Sequence, residues 1–159
     1  MSTVWGIDVS TKLIAVAIAV DGPPVTVGWC ASLSLDQSRT PQLRLARAVQ
    51  DATAFFGGAC GFPQDLEPPR LIVVEQPFGH NVHPQSYYMV SAVLISLVAA
   101  LGATVDVRML GPSKWKLLAW DHGGLGKDDL MVRAREKWPV DNQDEADAVG
   151  IALAAASCV

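Results

Sequence analysis

Cysteine is scarce in this 159-residue chain: Cys30, Cys60 and Cys158 are odd in number and far apart. They form no disulfide framework by pattern and have no paired spacing for zinc, so they read as reduced and structural. Histidine is equally sparse. Only His80 and His83 have a spacing that one helical face could share, and with no cysteine or second histidine pair nearby they read as a polar loop entering a helix. Charge is also low, at 18% of residues against 50% hydrophobic, which is a globular composition and not a disordered one. The longest apolar run, Met89 to Leu101, is broken by Ser91 and Ser96 and is expected to be too short to cross a bilayer. The opening residues lack the basic lead and apolar core of a secretory leader. The expected location is therefore the cytoplasm, or a host's cytoplasm if the source is viral. Repeats, linkers and low-complexity tails are missing too, and the length suits one domain over residues 1–159.

What the chain does have is an ordered series of strand- and helix-forming stretches. Residues 3–9, Leu13 to Val20 and Val25 to Ser32 are predicted strands with short connections, hence an antiparallel meander. Thr40-Pro41 offers an N-cap and a first-turn proline to a helix over Gln42 to Phe56, which Gly57-Gly58 can end. After a loop rich in Gly and Pro, Leu71 to Glu75 is apolar enough for a strand covered on both faces. Gln85 to Leu101 predicts a helix that is apolar nearly all round, either central or shared with a second subunit. Thr104 to Leu110 alternates as a strand, Lys114 to Trp120 forms a short segment after Gly111-Pro112-Ser113, and Lys127 to Trp138 predicts a helix with acids first and bases last. A final alanine-rich helix begins near Asn142, with Glu145 in capping-box spacing. This order predicts an α/β fold with a mixed five-stranded sheet flanked by helices.

Into this apolar frame the chain sets acids at unusual places. Asp8 lies within the first strand, Glu75 ends the fourth, and Asp144 and Asp147 share one face at the start of the last helix. An acid buried unpaired costs free energy, and converging acids repel unless hard cations sit between them. Each acid alone has an ordinary explanation as a cap, a strand-end residue or a helix N-terminal charge. Together, on three separate apolar elements, they favour a site for Mg²⁺ or Mn²⁺.

The net charge of −4 becomes zero when those four carboxylates are set aside. Between Arg108 and Lys137 the bases outnumber the acids, so Lys114, Lys116, Lys127 and Arg133 are candidate phosphate contacts.

Gly6-Ile7-Asp8, Val74-Glu75-Gln76 and Asp144-Glu145-Ala146-Asp147-Ala148, in that order, resemble the motifs of the RuvC-type Holliday-junction resolvases, members of the ribonuclease-H-like nucleases. The resemblance implies a ribonuclease-H-like fold and a homodimeric endodeoxyribonuclease, using two Mg²⁺ or Mn²⁺ ions per site to nick paired strands of a four-way DNA junction. It assigns Asp8, Glu75, Asp144 and Asp147 to the metals, and Lys114 or Lys116, together with Lys127, to the neighbourhood of the scissile phosphate. Phe78 matches an aromatic at the junction core, with a packed aromatic as the equal alternative. Helix 85–101 matches the dimerisation element. Two other readings share the fold: a nuclease for other branched DNA or an RNA-containing duplex, and a non-catalytic DNA-binding module. Gly6-Ile7-Asp8 with Ser10-Thr11 is also similar to the phosphate loop of sugar kinases and actin-like ATPases, which need a second such domain.

Overall fold

Five of the apolar stretches pair into one mixed sheet in a computed structural model that describes residues 2–20, 22, 24–36, 40–59, 61–64, 67–77, 84–102 and 104–158. Strands β1 (Thr3–Val9), β2 (Leu13–Val20) and β3 (Thr26–Ser34) form the antiparallel meander. Its first turn is fixed by Ser10, whose Oγ accepts from the Lys12 and Leu13 amides at 3.1 and 3.0 Å. Strands β4 (Leu71–Glu75) and β5 (Asp106–Leu110) add parallel to β1 on its other side, giving the order β3-β2-β1-β4-β5. Parallel neighbours need long crossovers. Helices α1 (Pro41–Ala54) and α2 (Pro84–Leu101) lie within them, and α3 (Pro112–Trp120), α4 (Lys127–Arg135) and α5 (Gln143–Ser157) follow the sheet.

Strand alternation separates two cores. Trp5, Ile7, Ile14, Val16, Ile18, Ile72 and Val74 face α1 and α2. There Phe62 stands edge-on to Trp5, Trp29 and Phe56 with ring centroids 5.2–5.4 Å apart, which ties the Gly- and Pro-rich loop after α1 to the sheet. On the opposite face Ala15, Ala17 and Ala19 of β2 meet Ala148, Ala152 and Ala155 of α5. Small residues on both sides let α5 lie close to the strands. The contact is tightest at Gly6, where a Cβ would collide with the Ala148 carbonyl oxygen and the Ala152 amide of α5.

Several boundaries differ from the sequence expectation. Thr40 stands at the N-cap of α1 but makes no side-chain capping bond, and α1 passes at Phe55 into a single wider turn that Gly58 ends at φ +92°. Strand β3 continues to Ser34 because pairing with β2 outlasts the sequence pattern, and β5 starts only where its partner β4 begins. Helix α4 stops at Arg135, three residues before Trp138, whose amide still closes a turn onto Ala134. Helix α2 is apolar all round but buried on one side only: Met89, Val90, Val93 and Leu97 are covered, while Tyr88 and Ile95 are 61% and 69% exposed. It is also long and apolar enough to cross a membrane by length and composition, contrary to the expectation from the shorter run. Its covered side is packed into the sheet's core. Phe78, His80, His83 and Cys60 lie outside the described residues.

Gly6→Ala is expected to lower unfolding free energy by about 3 kcal/mol, since neither colliding atom belongs to a side chain that can turn away. Urea denaturation measures it; a loss below about 1 kcal/mol would mean that α5 shifts at little cost.

Candidate metal and phosphate site

The parallel register Ile7↔Val74 puts Asp8 and Glu75 side by side at the carboxyl ends of β1 and β4. By alternation both project to the face that α5 covers, with Val4, Gly6, Leu71 and Val73. Gly6 touches Ala148 and Ala152, so α5 runs against β1 and its first turn reaches the strand end that carries Asp8. Thus the sheet and the last helix bring Asp8, Glu75, Asp144 and Asp147 to one place.

The electrostatics are those of crowded acids. Burial holds the Asp8 carboxyl well above the usual carboxylate range, and the charges of Glu75, Asp147 and Asp144 push it further, against the pull of Lys127. Burial also raises Glu75 and Asp147. Glu75 is relieved first by a hydrogen bond: Trp115 Nε1–H donates to Oε2 at 2.6 Å. Asp147 is relieved by Gln143 Nε2, which donates to Oδ1 at 3.0 Å from one turn earlier in α5. The ammonium groups of Lys116 and Lys127 act on both.

Helix α5 is held in place from its hidden side. Its N-cap Asn142 accepts the Glu145 amide at 2.9 Å, and Glu145, only 6% exposed, accepts from Ser32 Oγ at 2.6 Å, Asn142 Nδ2 at 3.1 Å and the Asp141 amide at 2.9 Å. This network ties the first turn of α5 to β3, so the two aspartates on the other side have a fixed base. Cys30 lies beside it, its thiol pushed up to about 11 by burial and by Glu145 and Asp141, as suits an inert structural cysteine.

The lysines come from α3 and the turn after it. Asp121 takes a left-handed conformation at φ 57° and reverses the chain. The loop then packs on α3 so closely that a Cβ at Gly123 would meet the Ser113 carbonyl at 2.8 Å. Lys116 Nζ donates to the Leu125 carbonyl at 3.0 Å and lies 5.5 Å from the Trp115 ring centre. Lys127 follows as the first residue of α4. Of the alternatives Lys114 and Lys116, it is Lys116 that acts on the acids; Lys114 is exposed on α3. Arg133 lines a separate cleft of about 710 Å³ with Trp120, His122 and Glu136. Two residues of the site, Trp115 and Gln143, went unassigned in the sequence. Gln143 had a faint signal in its spacing of one helical turn from Asp147.

All-oxygen donors, hardness and mutual repulsion fit this cluster to Mg²⁺ or Mn²⁺. The four acids are near enough to act on one another's charge, but among the described residues no three His, Cys, Asp or Glu side chains are close enough to hold an ion as they stand.

No protein-family model matches the chain, and no curated protein matches its sequence. Solved structures do match in fold. The chain is similar to Thermus thermophilus RuvC at TM-score 0.70 and 19% identity, over 98% of this chain and 93% of that one. T. thermophilus RuvC in complex with Holliday junction substrate gives 0.67 and 17% over the same shares, and the yeast mitochondrial Holliday junction resolvase Ydc2 gives 0.59 and 16% over 98% and 78%. The α/β fold expected from the sequence is therefore the fold these resolvases share.

The raised acids set a pH dependence. The folded protein keeps protons that the unfolded chain releases near pH 4, so stability falls as pH rises from there through the raised values. In EDTA, Asp8→Asn is expected to be more stable than wild type at pH 7, with the gain disappearing below about pH 4. Urea unfolding at both pH values tests this; an equal gain at both would show that charge is not its origin.

Proposed function

We propose that this chain is a metal-dependent endodeoxyribonuclease that cuts four-way DNA junctions by paired nicks. The observation that carries the reading is the gathering of Asp8, Glu75, Asp144 and Asp147 from three elements beside Lys116 and Lys127. A purely structural role does not account for three carboxyls, Asp8, Glu75 and Asp147, raised by burial and repulsion in one place.

In this reading the four carboxylates hold Mg²⁺ or Mn²⁺. When bound, such ions supply an activated water and charge stabilisation for the departing oxygen. The chain's own residues do the rest. Asp8 and Glu75, on neighbouring strands, form the rigid wall of the site, and Asp144 and Asp147 close it from α5. Lys127 and Lys116 set positive charge where a phosphodiester oxygen gains negative charge. Lys114 and Arg133 are assigned to the DNA backbone further along, and Phe78, three residues beyond Glu75, to the bases at the branch.

Paired nicks need two such sites. The exposed side of α2 supports a homodimer: Leu94, Ile95, Val98 and Ala99 line an apolar surface hollow of about 420 Å³, beside exposed Tyr88. The T. thermophilus RuvC complex, similar in fold, holds a Holliday junction.

The test is cleavage of a synthetic four-way junction beside linear duplex, fork and RNA–DNA hybrid, with Mg²⁺, Mn²⁺ or EDTA. Symmetric nicks confined to the junction are expected, absent with EDTA and in Asp147→Asn, whose junction binding should persist. Lys127→Ala is expected to slow cutting about 100-fold. Preferential cutting of the fork or hybrid would move the substrate, and no cutting by folded protein would leave a binding module. Separately, Ile95→Arg should convert a dimer to a monomer in light scattering. An unchanged mass would move the interface elsewhere.

A further inference from the structure

We propose that Trp115 is a positioning residue for Glu75, its indole N–H fixing the plane of the carboxylate so that the other oxygen meets a divalent cation. This deepens the nuclease reading and rests on Glu75 as a metal-binding carboxylate. Trp115 is fully buried, so its N–H has no water to bind, and among the described residues its one acceptor is Glu75 Oε2 at 2.6 Å. That distance is short for an N–H donor even to an ionised oxygen. Among the described residues Oε1 accepts no hydrogen bond, so no protein donor there competes with a cation for it.

The indole has little freedom to turn. Its ring lies on Gly150 of α5, where a Cβ would overlap ring carbons of Trp115 and approach Trp120 Nε1 at 2.9 Å. Its partly buried neighbour in sequence, Lys116, donates to the Leu125 carbonyl, its Nζ 5.5 Å from the ring centre. One side chain thereby contacts the helix that carries Asp144 and Asp147, the strand-end Glu75 and a site lysine. Partners of this kind orient a ligand and commonly change metal affinity by about 10–100-fold.

Two readouts test this without DNA. In metal-free ¹⁵N-labelled protein, one of the five indole N–H signals should lie downfield of the rest, vanish in Trp115→Phe and move upfield in Glu75→Gln. This second arm needs no change at Trp115, so it stands even if Trp115→Phe fails to fold; no moving indole signal would overturn the proposal. In calorimetric titration, folded Trp115→Phe should bind Mn²⁺ about 10–100-fold more weakly than wild type. Unchanged Mn²⁺ affinity with wild-type junction cutting would overturn the positioning role and leave the nuclease reading intact. Weakened Mn²⁺ binding in a protein whose wild type cuts no branched DNA would support the role and sink the nuclease reading.

Discussion

Helix α5 can deliver Asp144 and Asp147 to the sheet because nothing larger than hydrogen projects from position 6. The Ala148 carbonyl and Ala152 amide occupy the space where a Cβ would lie. The alanines of β2 and of α5 extend the same close approach across the neighbouring strand. Loss of that proximity would leave the strand-end acids Asp8 and Glu75 without their helical counterparts. Glycine is costly within a strand through entropy and lost packing, so its presence between Trp5 and Ile7 points to a backbone approach that matters.

Close packing gathers acids that repel, and the structure answers that repulsion locally. Each raised carboxylate has a specific offset: Trp115 for Glu75, Gln143 for Asp147 and Lys127 for Asp8. None of these cancels the shift. The residual cost is borne by the frame around the site, whose anchors are well satisfied. Glu145 has protein donors on both carboxylate oxygens, and Asn142 caps the helix next to it. A rigid frame around an electrostatically unfavourable centre is the arrangement expected where stability has been traded for binding.

Asp8 and Glu75 stand out in the sequence because a carboxylate in or at the end of an apolar run is conspicuous, whereas Asp144 and Asp147 open a helix as acids commonly do and draw notice only in company with the other two. The mixed sheet was legible for a related reason, since strand and helix periods alternate cleanly and the short early connections permit only antiparallel neighbours. Trp115 was not legible. A tryptophan in a short helix has the same appearance whether its N–H meets a carboxylate or solvent, and forty residues separate it from Glu75. The choice between Lys114 and Lys116 depended on the rotation of α3, which two residues of spacing leave open. Thr40 and the early end of α4 show the reverse, where a local signal was present and tertiary packing did not use it.

The same limit applies to α2, and there the structure resolves half of what the sequence left open. A helix apolar on every side can be central or shared. This one packs Met89, Val90, Val93 and Leu97 into the sheet and leaves Tyr88 and Ile95 uncovered. Helix α2 follows Glu75 by fewer than ten residues, on the opposite face of the sheet from α5. A second copy bound on its exposed side would therefore leave the acid face open to a substrate. The separation of the two faces, acids under α5 and the uncovered apolar side on α2, follows from which side of the sheet each helix covers.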